Sequence, residues 1–124
     1  MKIRRSNDFR ADPLVPSGSA TPEDYKHSGY DKGHMAPAAD MGWSEITMSE
    51  SFYMSNMSPQ DPMCNRKVWA DIENSTREFA KREGSTFIIT GPIFSTNEVK
   101  KTIGTQNKVT VPDAYYKIIY AENS

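Results

Sequence analysis

The stretch DPMCNRKVWADIENSTREFAKREG, residues 61–84, contains the one long segment with a clear helical pattern. Asp61 suits the N-cap, Pro62 the first helical position and Gly84 a C-terminal cap. Apolar and small side chains recur at steps of three and four residues, which is the helical period. They are Val68, Trp69, Ile72, Thr76, Phe79 and Ala80. The sequence therefore predicts a helix that begins at residue 62 or 65 and ends near residue 82.

Four segments on either side of this helix have strand patterns. They are residues 50–59 (ESFYMSNMSP), 85–94 (STFIITGPIF), 108–113 (KVTVPD) and 115–120 (YYKIIY). The first alternates and is expected to end at Pro59, and the second is a continuous apolar run that predicts a buried strand. Residues 1–28 are expected to be mostly irregular, with a loop at 12–24. The order of loop, strand, helix and strands indicates an α+β fold.

Length, charge and composition limit the classes of protein to consider. The 124 residues suit one domain over 1–124, and a fragment of a longer domain is expected because the chain ends soon after a strand pattern. A net charge of −1 excludes a generally basic nucleic-acid binder, so a phosphate site requires a local cluster of Arg and Lys. No membrane span of roughly 18 apolar residues and no signal peptide is visible. A single cysteine excludes an internal disulfide.

Four polar or aromatic residues of the helix are expected to share one ridge, because they follow at steps of four. They are Asn65, Trp69, Glu73 and Arg77. Asn65 and Glu73 lie two turns apart, about 12 Å, so one could ligate a hard cation directly while the other binds its waters. This pattern suits Mg²⁺, and Arg77 could grip a phosphate. The alternative is a solvated helix face with an ordinary Glu73–Arg77 ion pair.

The stretch GYDKGHMAPAAD, residues 29–40, presents His34 in a polar segment. A lone histidine in a loop is more often exposed and idle, whereas a general base needs a neutral imidazole near pH 7 and a positioning partner. Two histidines and one cysteine do not supply a closed zinc site. Cys64 is expected to be a small buried residue rather than a nucleophile. From this stretch alone both interpretations of His34 stay open.

Four motifs in a fixed order give the chain a family resemblance. They are SGYDKGHMAPAAD (28–40), YMSNMSPQ (53–60), NRKVWADIE (65–73) and ITGPIF (89–94). Together they resemble the DNA/RNA non-specific endonucleases, which are ββα-metal or His-Me finger nucleases, over nearly the whole chain. The resemblance implies a mixed central sheet with flanking helices. It also implies a catalytic core in which a β-hairpin and one helix clasp a magnesium ion.

The resemblance assigns roles to the residues at the metal and the attacking water. His34 matches the general base that activates water. Asn65 matches the single protein ligand of Mg²⁺, and Glu73 matches the carboxylate that binds the waters of the metal. Asn56 matches an asparagine near the site whose role is less settled. Mn²⁺ is expected to substitute for Mg²⁺.

The resemblance also assigns the contacts to substrate phosphate. Arg5 and Arg77 match phosphate-binding arginines, although Arg4 lies close enough in sequence to compete for the role of Arg5. Lys32 stands where the family usually has arginine. Lysine keeps the charge and loses the bidentate fork, so the substitution tests whether that position needs charge or geometry.

The implied activity is Mg²⁺-dependent hydrolysis of DNA and RNA with water as nucleophile and 5′-phosphate products. The alternative is a truncated, catalytically weak module of the same fold that binds nucleic acid or metal. A plain structural domain ranks last. The oligomeric state is open, with a homodimer among the options, and so is the compartment, with secretion or the periplasm considered. With His34 as base, activity falls below its pKa, and a flat profile from about pH 5 to 9 would argue against that role.

Overall fold

The computed structural model describes residues 2–95 and 100–122, so the expected domain bounds of 1–124 extend slightly outside the described residues. The helices are α1 (Pro22–Tyr25), α2 (Glu45–Glu50) and α3 (Trp69–Glu83), with 3₁₀ turns at Ala38–Met41 and Met54–Asn56 and a π-helical turn at Cys64–Val68. The strands are β1 (Asp31–His34), β2 (Met57–Gln60), β3 (Thr86–Ile93), β4 (Thr102–Ile103), β5 (Val109–Thr110) and β6 (Ala114–Ala121). This combination confirms the α+β class.

Antiparallel strand pairs form the sheets of the described chain. β1 pairs with β2, so that His34 lies opposite Met57 and Asp31 lies opposite Gln60. β3 pairs with β6 along its whole length, and the short strands β4 and β5 pair with each other. The π-helical turn and α3 follow β2 along the chain. The β1–β2 pair and this helix therefore form the ββα unit that the family resemblance implies.

Residues 50–56 are not in a strand, so the prediction of a strand over 50–59 is wrong for its first part. Ser44 caps α2 by accepting a hydrogen bond from the Thr47 N–H at 3.0 Å. The chain then continues through turns to Asn56, whose side chain bonds backbone groups at two places. Two of these bonds reach Ala36, 20 positions away, and one reaches Ser51. Side-chain bonds to the backbone compete with strand pairing and here outweigh the alternating pattern. The strand β2 extends one residue past Pro59, to Gln60.

The long helix has the caps that the sequence predicts. The Asp61 carboxylate accepts a hydrogen bond from the Met63 N–H at 2.8 Å, and helical structure runs from residue 62 to residue 83. Gly84 ends the helix with a positive φ of 87°, which favours glycine. The first part contains a π-helical turn, in which the Trp69 N–H bonds to the carbonyl of Cys64. Cys64 is half-buried, not buried as expected.

The expected loop over residues 12–24 is mostly irregular but includes the start of α1. Thr21 and Asp24 form a capping box around its first turn. Asp24 is buried and also accepts hydrogen bonds from the backbone and side chain of Asn107, at 3.1 and 3.0 Å. This capping explains why a Pro-rich segment still enters a helical turn.

The core of the described residues consists of two small clusters, and Phe9 packs against both. One contains Tyr25, Met54, Met57 and Ile103, and the other contains Ala38, Met48 and Phe52. Of the helix residues at apolar spacing, only Trp69 and Thr76 are buried. None of the helices in the described ranges is long and apolar enough to span a membrane.

The β3–β6 pair presents apolar side chains to solvent, so the prediction of a buried strand over 85–94 is wrong in its burial. Phe87 and Ile89 on β3 are 64% and 57% exposed. Their partners Tyr120 and Ile118 on β6 are 60% and 54% exposed. Alternation places these four side chains on one face. An apolar run predicts a strand but does not report whether another layer covers it.

Candidate active site

Six of the seven predicted site residues line one cavity of about 280 Å³. They are Arg5, Lys32, His34, Asn65, Glu73 and Arg77, and the remaining wall consists of proline and alanine. The N-terminal segment, β1 and the long helix therefore converge at this cavity. The six side chains are therefore close enough to act together, as the hypothesis requires.

A larger cavity, of about 630 Å³, lies elsewhere between β2, β3 and the segment around β5. Among its described lining residues, Lys108 is the only one with a charged side chain. General acid–base and metal chemistry require several polar or titratable groups that face one point. The smaller cavity is therefore the better candidate for the active site.

His34 is a buried histidine at the end of β1. Its imidazole lies edge-on to the rings of Phe52 and Phe9, with centroid distances of 4.8 and 5.9 Å. Burial, with a further contribution from the charge of Arg5, lowers the pKa of His34 to about 4. Its Nε2 atom has no hydrogen-bond partner among the described residues. The ring is therefore neutral near pH 7, which is the state that a general base requires.

Gly33 leaves room beside this histidine for the side chain of Gln60 from the opposite strand. A Cβ atom at Gly33 would lie 2.8 Å from the Cβ atom of Gln60, which is fully buried on β2. Real Cβ contacts do not come that near, so the position requires glycine.

Asn56 does not line the cavity, although it lies next to it. Its Oδ1 accepts a hydrogen bond from the Ala36 N–H at 2.9 Å. Its Nδ2 donates to the carbonyls of Ala36 and Ser51, both at 2.9 Å. The side chain therefore ties the segment after His34 to the end of α2. This geometry supports a positioning role for Asn56 rather than contact with substrate.

Asn65 lies in the π-helical turn and faces the cavity together with Glu73. In a regular α-helix, residues eight apart differ by about 80° around the axis. The π-helical turn takes up one additional residue, so the pair behaves nearly as residues seven apart, about 20° from alignment. The turn thus explains how both side chains reach one cavity.

The amide of Asn65 has a fixed partner on β1. Its Nδ2 donates a hydrogen bond to the Oδ2 atom of Asp31 at 2.9 Å. No described residue donates to its Oδ1 atom, and no group of three His, Cys, Asp or Glu side chains in the described ranges could form a metal site. The amide oxygen of Asn65 and the Glu73 carboxylate, which line the same cavity, are hard oxygen donors. That set fits Mg²⁺, which keeps several of its waters.

Glu73 is partly buried beside a lysine that the sequence reasoning missed. Burial raises the pKa of Glu73, while the charges of Lys117 and Arg77 oppose that shift. Lys117 lies on β6, donates to Thr90 Oγ1 at 2.8 Å and sits 5.2 Å from the centre of the Trp69 ring. Burial also lowers the pKa of Lys117. The sequence contained one signal for Lys117: it is the single charged residue in the apolar strand pattern YYKIIY (115–120).

Arg77 does not pair with Glu73. The alternative prediction of a Glu73–Arg77 ion pair on a solvated helix face is therefore wrong. Arg77 instead pairs with Asp40 at 3.0 Å and also bonds Asn74. Both side chains of the Arg77–Asp40 pair are about one-fifth exposed. The guanidinium is therefore held at the wall of the cavity by a partner outside its helix.

Arg5 and Lys32 complete the positive wall of the cavity. The Arg5 guanidinium lies 5.1 Å from the centre of the Phe52 ring, and the Lys32 ammonium lies 4.6 Å from that of Phe9. Arg4 does not line the cavity, which favours Arg5 for a contact with phosphate. Three cations therefore surround a cavity in a chain with net charge −1.

Comparison with known proteins identifies the family. A sequence model described as DNA/RNA non-specific endonuclease matches residues 1–124. The chain belongs to this endonuclease family. The resemblance seen in the sequence is thereby confirmed.

Relatives in the family share this sequence at moderate identity. "Endonuclease G, mitochondrial" from Homo sapiens is 35% identical over 127 residues, covering 96% of this chain and 43% of the relative. "Nuclease 1, mitochondrial" from Schizosaccharomyces pombe is 38% identical over 131 residues, covering 98% and 41%. The chain therefore spans less than half the length of these curated relatives.

A solved member of the family has the same fold. The structure named "Crystal structure of the EndoG/EndoGI complex: Mechanism of EndoG inhibition" matches with a TM-score of 0.89 and 32% identity. The match covers 99% of this chain and 54% of that one. The ββα-metal nuclease fold is thereby confirmed, and the solved protein is in complex with an inhibitor.

Proposed function

We propose that this chain is the catalytic part of a Mg²⁺-dependent endonuclease that hydrolyses phosphodiester bonds of both DNA and RNA. The observation that carries the proposal is the neutral, buried His34 in one cavity with Asn65 and Glu73. Membership of the endonuclease family and the nuclease names of the relatives support it.

In this proposal His34 is the general base. Its neutral imidazole accepts a proton from a water molecule, and that water attacks phosphorus in line with the leaving 3′-oxygen. The bond between phosphorus and the 3′-oxygen breaks, and the 3′-oxygen leaves with the electron pair and takes up a proton from solvent water. The products are a 5′-phosphate and a 3′-hydroxyl, and His34 returns its proton to solvent. The apolar rings of Phe9 and Phe52 disfavour the charged imidazolium, so His34 is unprotonated near pH 7 and can accept the proton.

Asn65 and Glu73 would hold the metal. The Oδ1 atom of Asn65 would be the direct ligand, and the Glu73 carboxylate would accept hydrogen bonds from the metal's waters. Bound Mg²⁺ would stabilise charge on the phosphate and on the leaving oxygen, and Mn²⁺ is expected to substitute. The oxygen ligands present in the cavity support this assignment.

Arg5, Lys32 and Arg77 would neutralise the phosphate as negative charge develops on it. To do so, Arg77 must exchange part of its contact with Asp40 for the substrate. Contacts to phosphate do not read the bases, and no contact proposed here requires or excludes a 2′-hydroxyl. Lack of preference between DNA and RNA is the expected consequence.

The test is cleavage of plasmid DNA and of RNA, with and without Mg²⁺ or Mn²⁺, by the parent chain and three variants. His34→Asn and Asn65→Ala should lose metal-dependent cleavage. His27→Asn is the matched control because His27 is the other histidine, is exposed, and has a positive φ of 60° that asparagine tolerates. Cleavage by His34→Asn at the parent rate would remove His34 as base. End-labelling that succeeds only after phosphatase treatment would support 5′-phosphate products.

A second candidate is a module that binds nucleic acid or metal without efficient cleavage. The three cations of the cavity, Arg5, Lys32 and Arg77, favour it, because they can bind phosphate whether or not hydrolysis follows. Binding without cutting by the parent chain would support this candidate. A ligand that binds the native state raises thermal stability. If the chain is a purely structural domain that binds no metal, Mg²⁺ should leave its thermal stability unchanged.

Compartment and assembly stay open in this proposal. The names of endonuclease G and nuclease 1 place those two proteins in mitochondria, whereas secretion or the periplasm rests on the bacterial nucleases that the sequence resembles. We propose no compartment for this chain. A homodimer stays a prediction, which the molar mass in solution would decide.

A further inference from the structure

We propose that Arg66 and Asp31 are positioning residues that turn the amide oxygen of Asn65 toward the cavity and thereby set the site's affinity for a divalent cation. The inference rests on the proposed function, in which Asn65 is the metal ligand. It adds two residues that neither the motifs nor the family resemblance assigned to the site.

The three side chains form a continuous hydrogen-bonded chain between β1 and the π-helical turn. Asn65 Nδ2 donates to Asp31 Oδ2 at 2.9 Å. Arg66 Nε donates to the same Oδ2 atom and Arg66 Nη2 donates to Oδ1, both at 2.9 Å. Two parallel bonds from one guanidinium to one carboxylate form the bidentate pair that fixes orientation best. Lysine at position 66 could not form this fork.

The chemistry of the amide explains why this arrangement matters for a cation. The oxygen and the NH₂ group of asparagine have nearly the same shape, so packing alone does not decide which faces the cavity. A carboxylate only accepts hydrogen bonds, so Asp31 selects the NH₂ group of Asn65. The oxygen must then face the other way. Without Asp31 the amide could present its NH₂ group to the cavity, where it would repel a cation.

Arg66 has a second effect, because it occupies both oxygens of Asp31. A carboxylate this close to the site could otherwise turn and compete as a ligand. Together with the bond from Asn65, the two bonds from Arg66 give Asp31 three hydrogen bonds that fix its carboxylate in place. Partners of this kind, one step behind a ligand, typically change metal affinity about 10- to 100-fold when removed.

The test measures cation binding in the absence of nucleic acid, by Mn²⁺ electron paramagnetic resonance or Mg²⁺ calorimetry. Asp31→Ala should weaken binding about 10- to 100-fold, and Arg66→Ala should weaken it less. Arg82→Ala is the matched control on the same helix, because Arg82 and Arg66 are 68% and 70% exposed and each pairs with a carboxylate. In cleavage assays both site variants should regain most of the parent kcat at saturating metal, as expected for a defect in metal binding.

The outcomes separate this inference from the proposed function. If Asn65→Ala loses cation binding while Asp31→Ala and Arg66→Ala keep the parent affinity, the positioning role is overturned and the metal site stands. If the parent does not bind, or if Asn65→Ala binds like the parent, the proposed metal site itself fails. If Asp31→Ala does not fold, the Arg66→Ala variant provides the test, because Arg66 is exposed. Parent affinity for the cation in Arg66→Ala would then overturn the inference.

Discussion

The imidazole of His34 meets the ring of Phe52 edge-on, with centroids 4.8 Å apart and ring planes at 87°. Phe52 is fully buried, so this contact places the histidine against the core rather than in a solvated loop. An apolar wall favours the neutral imidazole, because charge is costly away from water. The contact therefore connects the packing of the fold to the protonation state of the proposed base.

The first prediction is a pH profile displaced toward acid. Because the pKa of His34 is lowered to about 4, kcat/KM should stay level from about pH 8 to 5 and fall below that, as the base becomes protonated. A flat profile between about pH 5 and 9 therefore does not argue against His34 as base, contrary to the expectation from sequence. Phe52→Leu should move the fall toward higher pH. A fall centred near pH 6.5 in the parent chain would contradict the burial argument.

The same shift predicts a pH-dependent stability. His34 binds a proton near pH 6.5 when unfolded but only near pH 4 when folded. The stability that its neutral form contributes is thus fully present above pH 6.5 and is lost as the pH falls through about 4, on the order of 3 kcal/mol. Urea unfolding of His34→Gln should show a smaller loss over this range. His27→Asn, the exposed control, should follow the parent chain.

The second prediction concerns Lys32. In a His34→Ala background, where substrate survives, Lys32→Ala should weaken binding to any polynucleotide and reduce the slope of log affinity against log salt by about one. Lys32→Arg should keep the slope, since the charge is retained. Lys81→Ala is the control because Lys81 lies on α3 outside the cavity. An unchanged slope in Lys32→Ala would mean that this ammonium does not reach a phosphate.

The third prediction concerns Asn56, through the substitution Asn56→Asp. The carboxylate keeps the acceptor for the Ala36 N–H but places an oxygen against the carbonyls of Ala36 and Ser51. We expect a loss of about 2–4 kcal/mol in unfolding free energy. Chemical denaturation measures it, with Asn74→Asp as the control on an exposed site. Parent-like stability of Asn56→Asp would show that these bonds do not hold the segment after His34.

The fourth prediction concerns the packing of Gln60 over Gly33. Gly33→Ala would place a Cβ atom 2.8 Å from Gln60 Cβ, closer than real Cβ atoms come, so Gln60 or its strand must shift. The cost should be about 1–3 kcal/mol, with reduced activity because His34 follows directly. At Gly42 the nearest atom would be 3.4 Å away, so Gly42→Ala should cost less. Equal stabilities for the two variants would contradict this packing.

The sequence predicts those parts of the molecule that depend on local pattern. The caps at Asp61 and Gly84 and the helical period describe the long helix well, because cap bonds involve neighbours in the chain. The clustering of His34 with Asn65 and Glu73 came from motif resemblance, since no local pattern shows that residues 31 positions apart will meet.

Features that depend on distant partners were missed. The strand predicted over 50–59 begins only at Met57, because the Asn56 side chain bonds the backbone of Ala36, 20 positions away, and a pattern within 50–59 does not reveal that partner. The Asp31–Arg66 pair joins residues far apart in sequence, and neither residue type alone indicates the other. The exposure of Phe87 could not be foreseen, because an apolar strand has the same sequence whether or not a layer covers it.

The π-helical turn has a consequence for insertions and deletions. Deleting Lys67, an exposed residue within the turn, would leave seven steps between Asn65 and Glu73 and allow an ordinary α-helical turn. The two side chains would stay nearly aligned, so metal-dependent cleavage should persist. Deleting Asp71 from the regular part would rotate Asn65 by about 100° relative to Glu73 and abolish it. A one-residue gap is thus expected to be harmless in one turn of this helix and destructive in the next.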